Sequence, residues 1–322
     1  MKKYFLIIFI FFQNILNAQN IFPIFGSQRT GTSAFTFLQI SASPRGLAMS
    51  DAFNSLSDDA SSLHYNPARA VLFHRSQTMV SHGLWFAGLQ HNYSAFIYKY
   101  SENEAIGLAI NSLMSEQMEK RTEFLPEGTG EKFIFNDFSL ALTFSKRLTD
   151  QFSFGITSRY ITETLAEYKM DNLLFDLGIS YDLGNDKSQF AITYSNFGGS
   201  SKPKGTNKNS EKEFEEFLPP SIFAISFANK LIKEDDYNLI TVVQLNHPND
   251  NSENFAIGAE LEIHKMFYLR SGFRINYKEQ NFPSFGVGFV IPYEIFFGKF
   301  DYGVAKYNEL GLTHNFSLNI IL

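Results

Sequence analysis

The segment Arg45–Ala68, RGLAMSDAFNSLSDDASSLHYNPA, decides the fold, because after residue 18 it is the one stretch with neither a strand pattern nor a loop composition. Its apolar residues recur at intervals of three and four, the spacing of one helical face: Met49, Phe53, Leu56, Ala60 and Leu63. Ser57 and Asp58 can cap a second short helix that begins near Ala60. Asn66-Pro67 then ends it, because a residue before proline avoids helical backbone angles.

We therefore predict a small compact plug in this segment, followed by a long β-sheet that closes around it. The alternative that the segment leaves open is a helical lead-in packed outside a sheet. From Phe138 onward, strict alternation favours the sheet: Phe138, Leu140 and Leu142 share one face, and small or polar residues occupy the other. Large apolar residues on one face and small or polar residues on the other suit a barrel with lipid outside and a polar interior.

About fourteen segments show strand character. They lie near 77–86, 89–100, 104–114, 133–147, 151–163, 172–183, 188–197, 221–231, 237–247, 254–263, 266–277, 283–292, 295–306 and 311–322. Connections after even-numbered segments are short, and the two longest, 115–132 and 198–220, follow odd-numbered segments. Short periplasmic turns and longer outer loops are typical of outer-membrane barrels. We predict an all-β fold, an antiparallel transmembrane barrel of about fourteen strands in the outer membrane, with a small N-terminal helical plug in its lumen.

The first eighteen residues predict a secretory signal peptide. Lys2 and Lys3 precede a short apolar run, and Ala18 provides a small residue before a cut at Gln19. The run is too short for a spanning helix, although a membrane anchor is the alternative. The predicted organisation is a signal peptide over 1–18, a lead-in and plug over 19–76, and the barrel over 77–322.

Composition narrows the classes of partner. The formal charge is −6 and the sequence has no basic tract, so we do not expect nucleic acid as a partner. We do expect outer-membrane lipid, because the predicted barrel spans that membrane. The 36 phenylalanines and a mean hydropathy of −0.14 fit strands that are apolar only at alternate positions. The absence of cysteine excludes disulfides.

The motifs of catalysis and cofactor binding are missing from the sequence. The seven histidines are scattered without metal-ligand spacing, and no nucleophile elbow, P-loop or dinucleotide fingerprint is present. We expect no catalytic residue, no metal and no cofactor. A Ser/His site assembled from distant strands of a barrel wall is the alternative that stays open.

Charged residues occupy positions predicted to face the lumen. Glu260 and Glu262 share a face of one strand, and Arg270 and Arg274 share a face of the next, so cross-strand ion pairs are expected between them. A further pair is expected between Arg159 and Asp176 on neighbouring strands. We interpret these charges as a lumen wall that pairs with itself or holds the plug; a path that conducts substrate is the alternative.

The plug region resembles a known family. Residues 31–70, GTSAFTFLQISASPRGLAMSDAFNSLSDDASSLHYNPARA, resemble the N-terminal segment of the PorV/PorQ family of outer-membrane proteins, relatives of the FadL fatty-acid channels. The matching motifs are Phe37-Leu38, Arg45-Gly46, Ala48-Met49, Asp58-Asp59-Ala60 and Asn66-Pro67-Ala68. Two positions depart from the family pattern: Ser50-Asp51, where Gly-Gly or Gly-Asp is usual, and Arg69, where glycine is common.

The resemblance implies a non-enzymatic accessory role in type IX protein secretion. Expected partners are the translocon barrel or the cell-surface attachment complex, together with secreted cargo that carries a C-terminal signal domain. The plug motif, Arg45, Gly46, Asp58, Asp59, Asn66 and Pro67, would keep the lumen closed. The alternative is a FadL-like channel for hydrophobic small molecules, with an apolar pocket against the plug and a lateral opening, for which Pro283 or Pro292 would mark a kinked strand.

Overall fold

The computed structural model of the chain describes residues 31–184, 187–205, 214–292 and 297–322. The predicted signal peptide lies outside these residues. Among the described residues, no helix combines the length and the apolar character needed to cross a membrane.

Within the described ranges, fourteen antiparallel strands pair in sequence and close into a barrel, which confirms the predicted fold. They are β1 (Gln77–Leu84), β2 (Gln90–Lys99), β3 (Glu104–Met114), β4 (Phe135–Arg147), β5 (Phe152–Leu165), β6 (Tyr168–Asp182), β7 (Ser188–Phe197), β8 (Ile222–Lys233), β9 (Tyr237–Pro248), β10 (Asn254–Ile263), β11 (Phe267–Ile275), β12 (Ser284–Pro292), β13 (Phe297–Tyr307) and β14 (Gly311–Ile321). The barrel closes between β1 and β14, where Gln77 lies opposite Ile321.

The alternating pattern explains which way the side chains point. On β4, Leu140 and Leu142 are exposed on the outer surface, whereas Ala141 and Thr143 are buried in the lumen. Exposed leucines, isoleucines and phenylalanines recur on the outer face of other strands. Because successive residues of a strand point to opposite faces, one register places the whole apolar set toward lipid.

The two ends of the barrel differ in their connections. At one end, here called the turn end, strands are joined by short segments such as 100–103, 148–151 and 234–236. At the other, the loop end, lie the two longest connections, 115–134 and 198–221. Outer-membrane barrels have short periplasmic turns and longer outer loops, so the loop end corresponds to the cell surface.

Residues 31–76 run through the lumen from the loop end to the turn end. Ser33 bridges to Leu218 in the connection 198–221, and at the far end the Lys99 ammonium donates to the Val71 carbonyl. The helical pieces of this plug are all short: 3₁₀-helices Thr36–Gln39 and Pro67–Leu72, and α-helices Pro44–Ala48 and Ser62–Tyr65. Most of the plug is buried by the wall around it.

The helical interpretation of residues 49–63 is wrong over most of its length. Turns occupy the chain after Ala48, and Ser50 and Asp51 adopt left-handed backbone angles, with φ of 52° and 57°. The second helix begins at Ser62 rather than near Ala60, and Asp59, not Ser57 or Asp58, accepts the Ser61 N–H at 2.9 Å. The five periodic apolar residues are nevertheless all buried, because contacts with the wall override the local helical preference.

The predicted end of that helix is confirmed. Asn66 has extended backbone angles, with φ −154° and ψ 104°, directly after the helix Ser62–Tyr65. Its side chain then accepts the Ala68 N–H at 3.0 Å and caps the following 3₁₀-helix, Pro67–Leu72.

Candidate functional site

Arg45 lies at the centre of the contact between plug and wall. Ser43 caps the helix Pro44–Ala48 by accepting the Gly46 N–H at 3.1 Å, and this turn aims Arg45 at the wall. The Arg45 side chain is only 2% exposed, and it donates from Nε and Nη2 to the two Glu260 carboxylate oxygens at 2.6 and 2.7 Å. Two parallel bonds between a guanidinium and a carboxylate make a strong, directional pair.

On the plug side, Arg45 also binds the family's acidic motif. Its Nη1 donates to Asp58 and lies 3.6 Å from an Asp59 oxygen. The guanidinium carbon is 5.0 Å from the centre of the Phe53 ring, which covers one face of the group. Arg45 therefore joins both halves of the plug, as well as the plug and the wall.

The pKa values of Arg45 and Asp58 reflect this pairing. Burial disfavours charge on Arg45, but Asp58 and Glu260 outweigh that effect and hold the Arg45 pKa well above its ordinary value. The Asp58 side chain is about half exposed, and Arg45 holds its pKa below the ordinary value. Both groups are therefore charged near neutral pH.

The charge network continues across the wall from Glu260. Arg270 on β11 donates to Glu260 at 2.5 Å and to Asp301 on β13 at 2.6 Å. The charges thus alternate in sign from Asp58 through Arg45, Glu260 and Arg270 to Asp301. Removing Glu260 would take an ion-pair partner from both Arg45 and Arg270, and loss of a buried partner is strongly destabilising.

Arg274 makes a second connection between wall and plug. It pairs with Asp51 and donates from Nε to the Ser50 carbonyl at 2.9 Å. Asp51 also accepts Ser41 Oγ at 2.7 Å and the Tyr65 hydroxyl at 3.1 Å. The expectation that Arg274 would pair with a glutamate of the neighbouring strand is therefore wrong.

The sequence carries one signal for the Arg274–Asp51 pair, and the strand register explains why Glu262 is not the partner of Arg274. Ser50-Asp51 departs from the family pattern, and that departure could have identified Asp51, which the sequence reasoning missed. Glu262, the other glutamate of β10, accepts Asn238 Nδ2 at 2.8 Å near the turn end instead of meeting Arg274. Its register explains this, since Glu262 lies opposite Tyr268 and Arg274 lies opposite Ala256.

The Gly46 position allows the plug to fold upon itself. A Cβ built on Gly46 would collide with the Tyr65 side chain, so any larger residue would push apart the two helices. Tyr65 is held there by Asp51, and its ring packs edge-on against Phe53 at a centroid distance of 5.1 Å.

The Asn66 side chain forms hydrogen bonds with three segments: the plug turn at Asn54, the strand β6 at Ile179 and the 3₁₀-helix at Ala68. Its Nδ2 donates to the Asn54 carbonyl at 3.1 Å in the plug and to the Ile179 carbonyl at 3.2 Å on β6. Pro67 begins the 3₁₀-helix that packs against the inner faces of β4, β5 and β6. Asn66 itself is fully buried, so each of these bonds is shielded from water.

Arg159 and Asp176 lie together within the wall. Arg159 Nη2 donates to Asp176 at 2.7 Å, and the other carboxylate oxygen accepts the Asn196 N–H at 2.6 Å. The pairing of β6 with β7 shifts register between Phe175 and Leu177. The pair therefore lies where the wall is irregular.

Two cavities flank the plug. One of about 120 Å³ lies toward the loop end, and its lining is mostly polar, including Asn54, Thr193, Gln244, Asn246, Asn254 and Arg274. The other, of about 540 Å³ toward the turn end, is lined by charges that include Arg45, Asp58, Arg69, Glu262 and Lys299. Burial lowers the pKa of Arg69 to about 10, and its Nε donates to the Ser57 carbonyl at 2.8 Å. In the described ranges, no group of three or more His, Asp or Glu residues is arranged to hold a metal.

Comparison with known proteins agrees with this fold. The fold is similar to the toluene transporter TbuX of Ralstonia pickettii, with 14% identity, a TM-score of 0.52, and 86% of this chain and 96% of that chain covered. It is also similar to a Pseudomonas aeruginosa FadL homologue, at 11% identity, a TM-score of 0.53, and 92% and 99% coverage. The toluene transporter TodX of P. putida is 8% identical, with a TM-score of 0.56, and the match covers 87% of this chain and 96% of that chain.

No curated protein matches the chain by sequence. A family model described as "Type IX secretion system protein PorV" does match, over residues 25–209, which is more than half of the chain and includes the whole plug. The barrel, its outward apolar face and these relatives place the protein in the outer membrane. The chain therefore belongs to the PorV family of type IX secretion system proteins.

Proposed function

We propose that this PorV-family barrel is a closed, non-catalytic accessory of type IX secretion, which binds its partners through the loop end while the plug blocks the lumen. The observation that carries the proposal is the buried ion pair of Arg45 with Glu260, to which the half-exposed Asp58 adds a second carboxylate. It is supported by a second link, Arg274 to Asp51, on the other side of the plug.

The energetics of these links favour a permanently seated plug. To move the plug, the barrel would have to separate ion pairs inside a space from which most water is excluded. Breaking one buried pair costs on the order of 3–5 kcal/mol, comparable with much of the stability of a typical domain. A transport cycle that displaced the plug would have to supply that energy at each turnover.

The loop end offers a surface for a protein partner. The connection 115–134 forms a small hairpin in which Met118–Glu119 pairs with Lys132–Phe133. At its tip Phe124 is 91% exposed and Leu125 is 52% exposed. A large aromatic side chain that extends beyond the barrel into water costs free energy unless a partner covers it. We propose that the translocon, the attachment complex or the secreted cargo supplies that cover.

The proposal that the protein is not an enzyme is supported by its histidines. A Ser/His site would need a histidine beside a serine at the outer edge of the wall. Four of the seven histidines, His82, His247, His264 and His314, instead hydrogen-bond to Asn92, Glu253, Asp236 and Tyr302.

The second candidate is a FadL-like channel for hydrophobic solutes. Only the shared fold favours it, since the matched toluene transporters are at most 14% identical to this chain. The cavity toward the loop end mixes apolar side chains with amides, hydroxyls and charges, and an apolar solute would desolvate these polar groups without compensation. Pro283 precedes β12 and Pro292 ends it, so neither proline interrupts the strand.

The deciding experiment is a tagged pull-down from detergent-solubilised outer membrane, with mass spectrometry of the recovered proteins. Wild type should recover a large translocon barrel, attachment-complex subunits or cargo with the C-terminal signal domain. Phe124→Ser combined with Leu125→Ser should reduce that recovery without affecting barrel assembly. A matched control is Val80→Ser, an exposed residue on the outer face of β1 far from the hairpin tip.

One result would contradict the proposal and another would narrow it. Recovery of the barrel alone, carrying only lipid or fatty acid, would contradict it and favour the uptake channel. Equal recovery by wild type and the Phe124/Leu125 variant would remove the hairpin from the partner surface and leave other parts of the loop end to be tested.

A further inference from the structure

Two carboxylates face one another inside the loop-end half of the barrel. Asp137 on β4 and Glu163 on β5 are directly opposite in the strand register. Residues in such a pair on the same face have Cβ atoms about 5 Å apart. Asp137 is 2% exposed and Glu163 is partly buried. In the described part of the chain, neither carboxylate has a lysine, arginine or histidine within ion-pair distance.

Unpartnered polar atoms surround this pair. One oxygen of Asp137, both amide atoms of Asn111 and the Ser139 hydroxyl have no hydrogen-bond partner, and each of these three residues is at most 2% exposed. Asn111 lies opposite Ser139, one step along the inner face from Asp137. His91, on the next strand, lies beside the Asn111 amide, so its ring belongs to the same cluster.

Burying these polar and acidic groups without a bound ligand costs free energy. Buried polar groups in folded proteins are almost always hydrogen-bonded, and buried charges are paired or bind a cation. Six buried charges described above have ion-pair partners: Arg45, Glu260, Arg270, Asp301, Arg159 and Asp176. Arg69 donates instead to the Ser57 carbonyl, the Ser180 hydroxyl and the Gln189 amide oxygen. The Asp137–Glu163 pair is therefore distinct from the networks that hold the plug.

We propose that Asp137 and Glu163 bind one Ca²⁺ ion in this cluster. The available atoms are hard oxygen donors: two carboxylates, the Asn111 amide oxygen and the Ser139 hydroxyl. Calcium takes about six to eight oxygen ligands in flexible geometry, so water completes the shell. Ring nitrogens of His91 hydrogen-bond to that water. The ion neutralises both carboxylates and provides partners for the orphaned atoms.

The ion would also stabilise the closure of the loop end. One Glu163 oxygen accepts the N–H of Phe35 at 3.0 Å. Phe35 lies in the cap segment, residues 33–40, and has a left-handed backbone with φ of 59°, which is strained for a side chain of that size. Its neighbours Phe37, Leu38 and Ile40 belong to one apolar cluster with Leu113 of β3 and Ile161 of β5. A calcium ion that fixes Glu163 therefore holds the cap segment in place.

Trp85, the one tryptophan of the chain, provides a direct probe. It is partly buried and packs against the same apolar cluster as the cap segment. The experiment uses the full barrel purified in detergent, dialysed against a chelator and titrated with CaCl₂. Bound metal is counted per chain, and Trp85 fluorescence and the thermal midpoint are followed.

For wild type we expect one bound Ca²⁺, a saturable change in Trp85 fluorescence and a higher thermal midpoint. Asp137→Asn should weaken calcium binding by about tenfold or more, because it removes one anionic ligand. The control is Asp236→Asn, which changes an exposed carboxylate in a turn at the opposite end and should bind calcium like wild type. If Asp137→Asn does not assemble, Asn111→Ala tests the same site without changing charge.

Three results would overturn the assignment. The first is a wild-type barrel whose metal content, fluorescence and thermal midpoint are unchanged by millimolar CaCl₂; water or a shared proton would then satisfy the cluster. The second is equal calcium binding by wild type and Asp137→Asn, which would place the ion elsewhere. The third is loss of calcium binding in Asp236→Asn to the same degree as in Asp137→Asn.

Discussion

The Arg45 guanidinium and the Glu260 carboxylate, 215 residues apart in sequence, share two hydrogen bonds of 2.6 and 2.7 Å inside the barrel. One partner comes from the plug and the other from the tenth strand of the wall. Their pairing makes the position of the plug depend on correct closure of the sheet. It also explains how a motif that is local in sequence acts through a distant strand.

Arg45→Met should destabilise the barrel by about 3–5 kcal/mol, because Glu260 then keeps a buried charge with one partner fewer. Denaturant unfolding in detergent, read by the gel-mobility shift of the folded barrel, measures the loss. Arg45→Met combined with Glu260→Met should lose less than the sum of the two single changes. Lys120→Met, at an exposed pair with Glu131, is the control and should cost less than about 1 kcal/mol.

Gly272→Ala should loosen or displace the plug. A Cβ at this inner-wall position would collide with the backbone of Met49, which cannot move as a flexible side chain can. Overpacking of this kind typically costs about 1–3 kcal/mol. Ion conductance of the barrel in planar bilayers and thermal unfolding would report it. Gly83→Ala is the matched control, since its nearest contacts are at 3.5 Å, and equal effects of the two changes would contradict the collision.

Asn66→Ala should impair folding or sealing. It leaves the Asn54 and Ile179 carbonyls without their side-chain donor, and each unsatisfied buried group costs about 1–3 kcal/mol. Protease accessibility of the plug and bilayer conductance would measure the defect. Asn92→Ala removes an exposed bond to His82 and serves as the control. A variant of Asn66 that folds, excludes small solutes and secretes normally would count against a sealing role for the plug motif.

The barrel should lose stability as pH falls below about 6.5, the pKa of an unfolded histidine, at which half of the imidazoles carry a proton. Burial, with the nearby Arg159 and His91, lowers the pKa of His64 well below its ordinary value. The unfolded chain therefore binds a proton that the folded barrel rejects. The stabilisation is fully present above the unfolded pKa and declines by about 1.4 kcal/mol for each pH unit between the two pKa values.

Unfolding measured at pH 7.5 and 5.5 tests this pH dependence. His64→Gln should lose less stability than wild type across that interval. His247→Gln, at an exposed position, is the control and should behave like wild type. Parallel loss in wild type and His64→Gln would show that another group is responsible.

The local sequence pattern determined where the strands lie and which of their side chains point outward or into the lumen. Phe138, Leu140 and Leu142 alternate with small or polar residues, and a period of two places them outward in any register that buries the polar set. Asn66-Pro67 likewise ended its helix, because the steric restriction before proline acts between adjacent residues. The lengths of the connections identified the two ends of the barrel for the same reason, since a turn is a local structure.

Tertiary structure alone decided the path of the plug and the partners of the charges. The spacing of Met49, Phe53 and Leu56 indicates a helix, yet contacts with the wall hold turns there, and Arg274 reaches Asp51 across the lumen. Asp137 and Glu163 meet because β4 and β5 align in one register. Contacts between distant segments depend on that register and on closure of the barrel, and neither is encoded in the period of a single strand.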